Sequence, residues 1–320
     1  MAEDTPEGTG SEVKPNKGRR TSLATRLAVV VLLVSILSIL VSVVVSSNSI
    51  GSTSDELIEQ RVTTRSNATA AELNEYYRDL ALQVAILASG ASAPTVVTEF
   101  AAAYDELDAL DPDSLGDEAE RLLAYYTDEF IPSLADVRGT SVDPDELIPR
   151  AQSAPTYLQT AYIADSTVEP IERRLITDAG DGSAWTEVHK KYHPALRSRI
   201  DAMGFDDLFL IDADTGAVVY STNKDVAFGT NLIAGPHSGT PLASLSRRVI
   251  ATGEPDDVEA ADFATYTPLL DLPSGFLAAP VFDGDELVGV LAVSVDLDSV
   301  TDIMTSSWRD GRFGETGEQY

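Results

Sequence analysis

Residues 205–232 read FDDLFLIDADTGAVVYSTNKDVAFGTNL. Two short apolar runs, DLFLID and AVVYST, are separated by Ala213-Asp214-Thr215-Gly216. The Asp214 side chain can cap a turn and Gly216 tolerates a positive φ, so the stretch predicts strand, tight turn, strand, then a loop. Both runs are apolar at successive positions, not at alternate ones. A sheet that begins this way should be covered on both faces.

Downstream, the pattern predicts a loop over 229–239, a helix over 242–252, and strands over 258–267, 276–282 and 287–295. Asp283-Gly284-Asp285 is a hairpin signal between the last two strands. Residues 299–308 read as a helix. The expectation is a five-stranded antiparallel sheet with one helix inserted between strands two and three.

Upstream of residue 205 the period is helical. Residues 55–89 carry Leu73, Leu80 and Leu87 at heptad spacing, with Tyr76 and Val84 between them, and Ser54 as an N-cap candidate. Such a stripe suits either a dimer helix rising from a membrane or one edge of a local bundle. Further helices are expected over 95–110, 117–137, 145–176 (with breaks at Pro149 and Pro155) and 184–203. Pro194 should kink or restart the last one.

Residues 27–45, LAVVVLLVSILSILVSVVV, carry no charge. As a helix that run crosses a bilayer core of about 30 Å. It is longer than a signal-peptide core, and the Ser46-Ser47-Asn48-Ser49 that follows is a poor cleavage site. Lys14, Lys17, Arg19, Arg20 and Arg26 precede it, which places the N-terminus in the cytoplasm and the bulk of the chain outside.

The formal net charge is −30, from 52 acidic against 22 basic residues. Phosphate backbones would be repelled, so no nucleic-acid partner is expected. There is no cysteine, which excludes disulfides, thiol catalysis and cysteine-ligated metal sites.

Several stretches taken together resemble the extracellular Cache (PAS-like) sensor region of bacterial transmembrane receptors. They are YLQTAYIADSTVEP (157–170), DAGDGSAWTEVHKKYHPALR (178–197), the opening hairpin with its loop, FLAAPVFDGDELVGVLAVSVDLDSVTDIM (276–304) and GRFGETGEQY (311–320). The resemblance implies an α+β fold and a receptor of the cyclase, histidine-kinase or chemotaxis-receptor type. Such receptors continue into a second Cache lobe, a HAMP linker and an output module. The chain then reads as truncated before the second lobe, and its acidic, Ala-rich composition leans toward a cyclase output.

The implied organisation is a cytoplasmic tail (1–26), a transmembrane helix (27–46), an extracytoplasmic helical region (47–203), a PAS-like lobe (204–310) and the start of a second lobe (311–320). A homodimer and a small-molecule ligand are expected partners, and no cofactor is implied. The alternative is a structural dimerisation module without a ligand.

Candidate chemistry is sparse. His189 and His193 share a helix face but lack the adjacent glutamate of a metalloprotease, because Lys190 stands there; they read as polar anchors between helix and sheet. Gly180-Asp181-Gly182-Ser183 lacks the Gly-Lys-Ser/Thr of a P-loop, so Gly180 reads as a helix C-cap and Ser183 as the next N-cap. No G-x-S-x-G nucleophile elbow occurs. Ligand-contacting candidates, from their polar tips on or near the sheet and its loops, are Tyr220, Lys224, Asp262, Tyr266 and Trp185. Lys224 could meet a carboxylate.

Overall fold

A computed structural model describes residues 35, 38, 39, 62–149, 152–295 and 297–309, with side chains as far as residue 305. The predicted membrane span at 27–45 lies outside the described residues apart from Ser35, Ser38 and Ile39, which are helical and exposed. The predicted N-cap Ser54, the cytoplasmic tail and the segment 311–320 also lie outside them.

The chain divides into two compact units, Met1–Ala68 and Thr69–Tyr320. The helices are α1 (Val62–Ala88), α2 (Ala93–Asp108), α3 (Gly116–Tyr125), α4 (Ile131–Arg138), α5 (Ser153–Gln159), α6 (Ala184–Met203), α7 (Pro241–Thr252) and α8 (Leu297–Arg309). Among the described residues no single helix is long and apolar enough to cross a membrane. The pair α1 and α2, bent by 68°, passes that test by length and composition taken together.

Five strands, β1 (Phe205–Asp212), β2 (Val218–Ser221), β3 (Glu259–Tyr266), β4 (Leu272–Asp283) and β5 (Glu286–Val295), form one antiparallel sheet in the order β2-β1-β5-β4-β3. The expected inserted helix is α7.

Both faces are covered, as the apolar runs require. One face presents Leu208, Leu210, Val219, Leu277, Leu291 and Val293 to α1, α2, α5 and α6. The other presents Phe209, Ile211, Val218, Phe276 and Val290 to Leu242, Leu245 and Val249 of α7. The heptad stripe of α1 is spent inside the chain: Leu80, Val84 and Leu87 are buried in the first core, and Leu73 and Tyr76 pack against it. A third cluster joins Leu122, Tyr126, Phe130 and Leu134 to Val226 of the loop after β2.

At the opening hairpin Gly216 has φ 76°, the left-handed conformation that the turn was expected to need. The capping carboxylate, however, is Asp212 at the end of β1. Its Oδ2 accepts from the Thr215 amide at 2.8 Å and the Thr215 hydroxyl at 2.6 Å, while Asp214 is exposed.

Several helical expectations are corrected by the prolines. Residues 117–137 run as α3, a π-helical segment Tyr126–Phe130, and α4. The Ile131 amide reaches back five residues to the Tyr126 carbonyl. Pro132 supplies the reason, because its ring would collide with the carbonyl four residues back in a regular turn.

Residues 145–176, expected as helix with breaks at Pro149 and Pro155, are broken further than that. They form a 3-10 turn Pro144–Glu146, then α5, a π-helical segment Thr160–Ala164 and a 3-10 helix Pro170–Leu175. Pro155 sits in the first turn of α5, where its missing N–H has no intrahelical acceptor to lose. Conversely, α6 runs through Pro194 without a restart. Pro194 and Lys190, whose carbonyl loses its donor, are both exposed, so the lost bond falls on the solvent side of the helix. Gly180 caps no helix. It sits at φ 74° in an Asx turn, with its amide donating to Asp178 Oδ1 at 2.8 Å. Ser183 is the N-cap of α6, accepting from the Thr186 amide at 3.1 Å.

Helix α2 lies close against the middle of the sheet because Gly289 of β5 has no side chain. A Cβ there would stand 2.6 Å from Val97 Cγ1 and 2.8 Å from the Ile211 carbonyl oxygen. Gly289→Val should therefore cost about 1–3 kcal/mol through overpacking. A shift of the urea midpoint at unchanged slope measures it, and a neutral result would mean that α2 sits further from the sheet.

Candidate functional site

Helix α6 turns Trp185, His189 and His193 to one side by their spacing of four. All three are buried, and their rings form a stack. Trp185 and His189 centroids are 4.9 Å apart, and His189 and His193 4.2 Å apart, each pair tilted by 21°. Phe100, Tyr162 and Phe228 close around Trp185 at 5.5, 5.2 and 5.3 Å. The indole Nε1 donates to the Val219 carbonyl of β2 at 2.9 Å.

The histidine partners fix the tautomers. His193 Nε2 meets the Arg174 carbonyl at 2.8 Å, and a carbonyl only accepts, so the proton is on Nε2. His193 Nδ1 then accepts from the Tyr220 hydroxyl at 2.8 Å, and Thr222 Oγ1 lies 3.4 Å behind that hydroxyl. His189 Nδ1 donates to the Thr177 carbonyl at 2.9 Å. His189 Nε2 is left as a buried lone pair with no hydrogen-bond partner.

Burial, reinforced by the charge on Lys224, pushes His189 down to about 2 and His193 down to about 3. Both are neutral at physiological pH. His193 has both nitrogens committed, so the pair cannot chelate an ion. Among the described residues no group of three or more metal-ligating side chains forms.

Tyr220→Phe would strip His193 Nδ1 of its donor inside the core. The expected cost is about 1–3 kcal/mol, read from chemical denaturation, and a silent substitution would place another donor at that nitrogen.

Loop residues 222–225 cross the end of the sheet and send side chains both ways. Lys224 is fully buried, with a left-handed backbone at φ 58°, which an L-residue with a long side chain rarely adopts. Its Nζ donates to the Thr222 carbonyl at 3.1 Å and stands 5.7 Å from the Tyr162 ring centroid. No carboxylate reaches ion-pair distance of it among the described residues. Burial lowers its pKa to about 7; Asp207 opposes that shift, and Arg197 and Arg174 add to it.

Asp207 of β1 is held by the amides of Leu208, Thr222 and Asn223 at 2.7, 2.9 and 3.0 Å and by Ser221 Oγ at 2.9 Å. Burial still raises it to about 6. Asp225, one residue after Lys224, is raised to about 7 by burial and by the nearby Asp207 charge. Its Oδ1 accepts from the Ala227 amide at 2.8 Å. The buried Asp225 carboxyl and Tyr266 hydroxyl face each other, a contact that acts on the titration of both groups, while Ser294 Oγ is buried without a hydrogen bond among the described residues.

The structure thus brings Trp185, Tyr220 and Lys224 of the expected set together on the α6 face. Tyr266 packs with Phe276 in the opposite core, 5.0 Å between centroids, and meets the others only through Asp225 and Asp207. Asp262 is exposed on β3, where its charge acts on Tyr77 of α1, and it joins neither group.

Sequence reasoning passed over His189, Tyr162, Asp207 and Asp225 as ligand-facing residues. The available signal was Asn223-Lys224-Asp225, the end of a polar run (residues 221–225) set between the apolar Val218-Val219-Tyr220 and Val226-Ala227-Phe228. Gln159 was also passed over. It is fully buried and ties the loop after β2 to α5, donating to the Val226 and Phe228 carbonyls at 2.9 and 2.8 Å and accepting from Tyr126 OH at 2.9 Å.

No family model and no curated protein matches the chain. A solved structure, the sensor domain of the V. cholerae histidine kinase DctB, is similar at 19% identity and a TM-score of 0.29. The match covers 57% of this chain and 59% of that one. A likeness this slight carries no weight for fold or function.

Proposed function

We propose that the chain is the extracytoplasmic sensory input region of a membrane-bound signalling receptor, and that it reads a small molecule at the loop carrying Lys224. One observation carries this reading. A fully buried lysine in a left-handed backbone has one hydrogen bond from its ammonium and, among the described residues, no ion pair, and it shares the α6 face with His189 Nε2, which has no partner among them. Leaving such groups unmet costs free energy that an ordinary core avoids. A ligand carboxylate would supply the anion for Lys224, and a hydroxyl or amide would supply the donor for His189. Trp185 and Tyr162 offer flat apolar contact.

Loop 222–225 lies over these groups and hydrogen-bonds to β1, and β1 pairs with β5. Helix α8 follows β5 and buries Val300 in the first core. A ligand that favours one arrangement of the loop would thereby bias α8, the exit helix of the lobe. The output implied by the resemblance to Cache receptors is a nucleotide cyclase, which the acidic, Ala-rich composition favours over a kinase or chemotaxis module, the alternative.

Thermal-shift screening of the full chain against carboxylates, amines and sugars tests the binding step. The expected hit is a carboxylate whose stabilisation disappears in Lys224→Met. A library without hits, or a hit indifferent to that substitution, would overturn the assignment of the site.

A further inference from the structure

A second cation is buried without a counter-charge among the described residues, in the helical region and away from the hairpin loop. Arg173 lies in the 3-10 helix Pro170–Leu175 and is 7% exposed. Its guanidinium stands 5.3 Å from the Tyr125 ring centroid. Nη1 reaches the Tyr125 hydroxyl at 3.4 Å, the limit of a hydrogen bond, and Nε has no partner.

A guanidinium has five N–H donors in a planar fork, and burying it unpaired is costly. The chain carries 52 acidic residues, so a carboxylate partner is abundant in composition. The ion pairs among the described residues nevertheless use Arg121, Arg138, Arg174, Lys190, Lys191 and Arg248, and not Arg173. Ser166, in the turn that leads toward the same 3-10 helix, also has a buried hydroxyl without a hydrogen bond.

We infer that Arg173 is the anchor of an oxyanion-binding site, taking a phosphate or carboxylate group between the Pro170–Leu175 helix and α3. The planar fork binds two oxygens of such a group side by side, and the Tyr125 hydroxyl adds a donor at its edge. The site would not be isolated from the ring stack. The carbonyl of the next residue, Arg174, accepts the His193 Nε2 proton, so a shift of this helix is felt at His193.

The test uses the full chain in buffers of constant ionic strength, with inorganic phosphate or sodium acetate replacing chloride. The expected result is a saturable rise in Tm of roughly 2–4 °C, and the arm that saturates at the lower concentration identifies the oxyanion. Arg173→Gln should abolish the rise, and Arg173→Lys should raise the midpoint concentration about tenfold. Lys224→Met should leave the phosphate rise intact, which separates this site from the carboxylate site above. No rise in the wild-type chain beyond that in chloride overturns the inference, as does an equal rise in Arg173→Gln. Should the glutamine variant fail to fold, an unchanged midpoint in Arg173→Lys overturns it.

Discussion

Trp185→Ala is expected to lower stability by about 3–5 kcal/mol, the usual range for emptying a large aromatic site in a core. The indole is fully buried and touches four rings, Phe100, Tyr162, His189 and Phe228. Those rings come from α2, the π-helical segment after α5, α6 itself and the loop after β2, so no single element can move in to fill the space. The loss has a polar part as well, because the Val219 carbonyl gives up its indole donor. In a unit of this size the change corresponds to a fall in Tm on the order of 10 °C. Trp185→Phe should recover more than half of the loss, since it restores apolar volume but not the hydrogen bond. Urea denaturation of the three proteins decides the matter. A loss below about 1 kcal/mol for the alanine variant would mean that helices and sheet do not share this cluster.

Lys224→Met is expected to act in the opposite direction, and only on one side of a pH window. The folded state holds the ammonium at about 7, against 10.5 for an ordinary lysine, mainly because of burial. A group depressed in this way gives its full stability above the unfolded value. That stability is lost as the pH falls and is gone near the folded value of about 7. Below it the wild-type protein bears the whole cost of a buried charge.

Every tenfold loss of proton affinity on folding is worth about 1.4 kcal/mol, and the methionine also forgoes the bond from Nζ to the Thr222 carbonyl. The net expectation is a gain of roughly 2–4 kcal/mol at pH 6, shrinking toward zero near pH 10. Denaturation midpoints at the two pH values check it. Parallel pH profiles for wild type and variant would show that the amine is hydrated in the folded chain.

The sheet was legible from sequence because its signals are local and agree with one another. Apolar runs bounded by Asp-Thr-Gly and Asp-Gly-Asp placed the strands to within a few residues of where they lie, and continuous apolarity gave both covered faces. The helical region was less legible, because a proline states only what it removes. Pro155 opens a helix, Pro132 accompanies a widened turn and Pro194 is absorbed at the surface. Which of these happens depends on what faces the lost hydrogen bond.

The candidate site was half legible. Trp185, Tyr220 and Lys224 could be picked as polar-tipped residues near the sheet. His189 acquires its meaning from the partner its Nε2 lacks, and Asp225 from the Tyr266 hydroxyl some forty residues along the chain, and no local pattern encodes either.

The strand order also dictates how the chain must be made. β5 stands between β1 and β4, yet it is the last strand to be synthesised. Until residues 286–295 emerge, the β1–β2 hairpin has an unpaired inner edge of apolar residues, and the contact between Gly289 and Val97 that seats α2 cannot form. Helices written early therefore wait on a strand written late, and nascent chains halted before residue 286 carry an open strand edge, which recruits other chains.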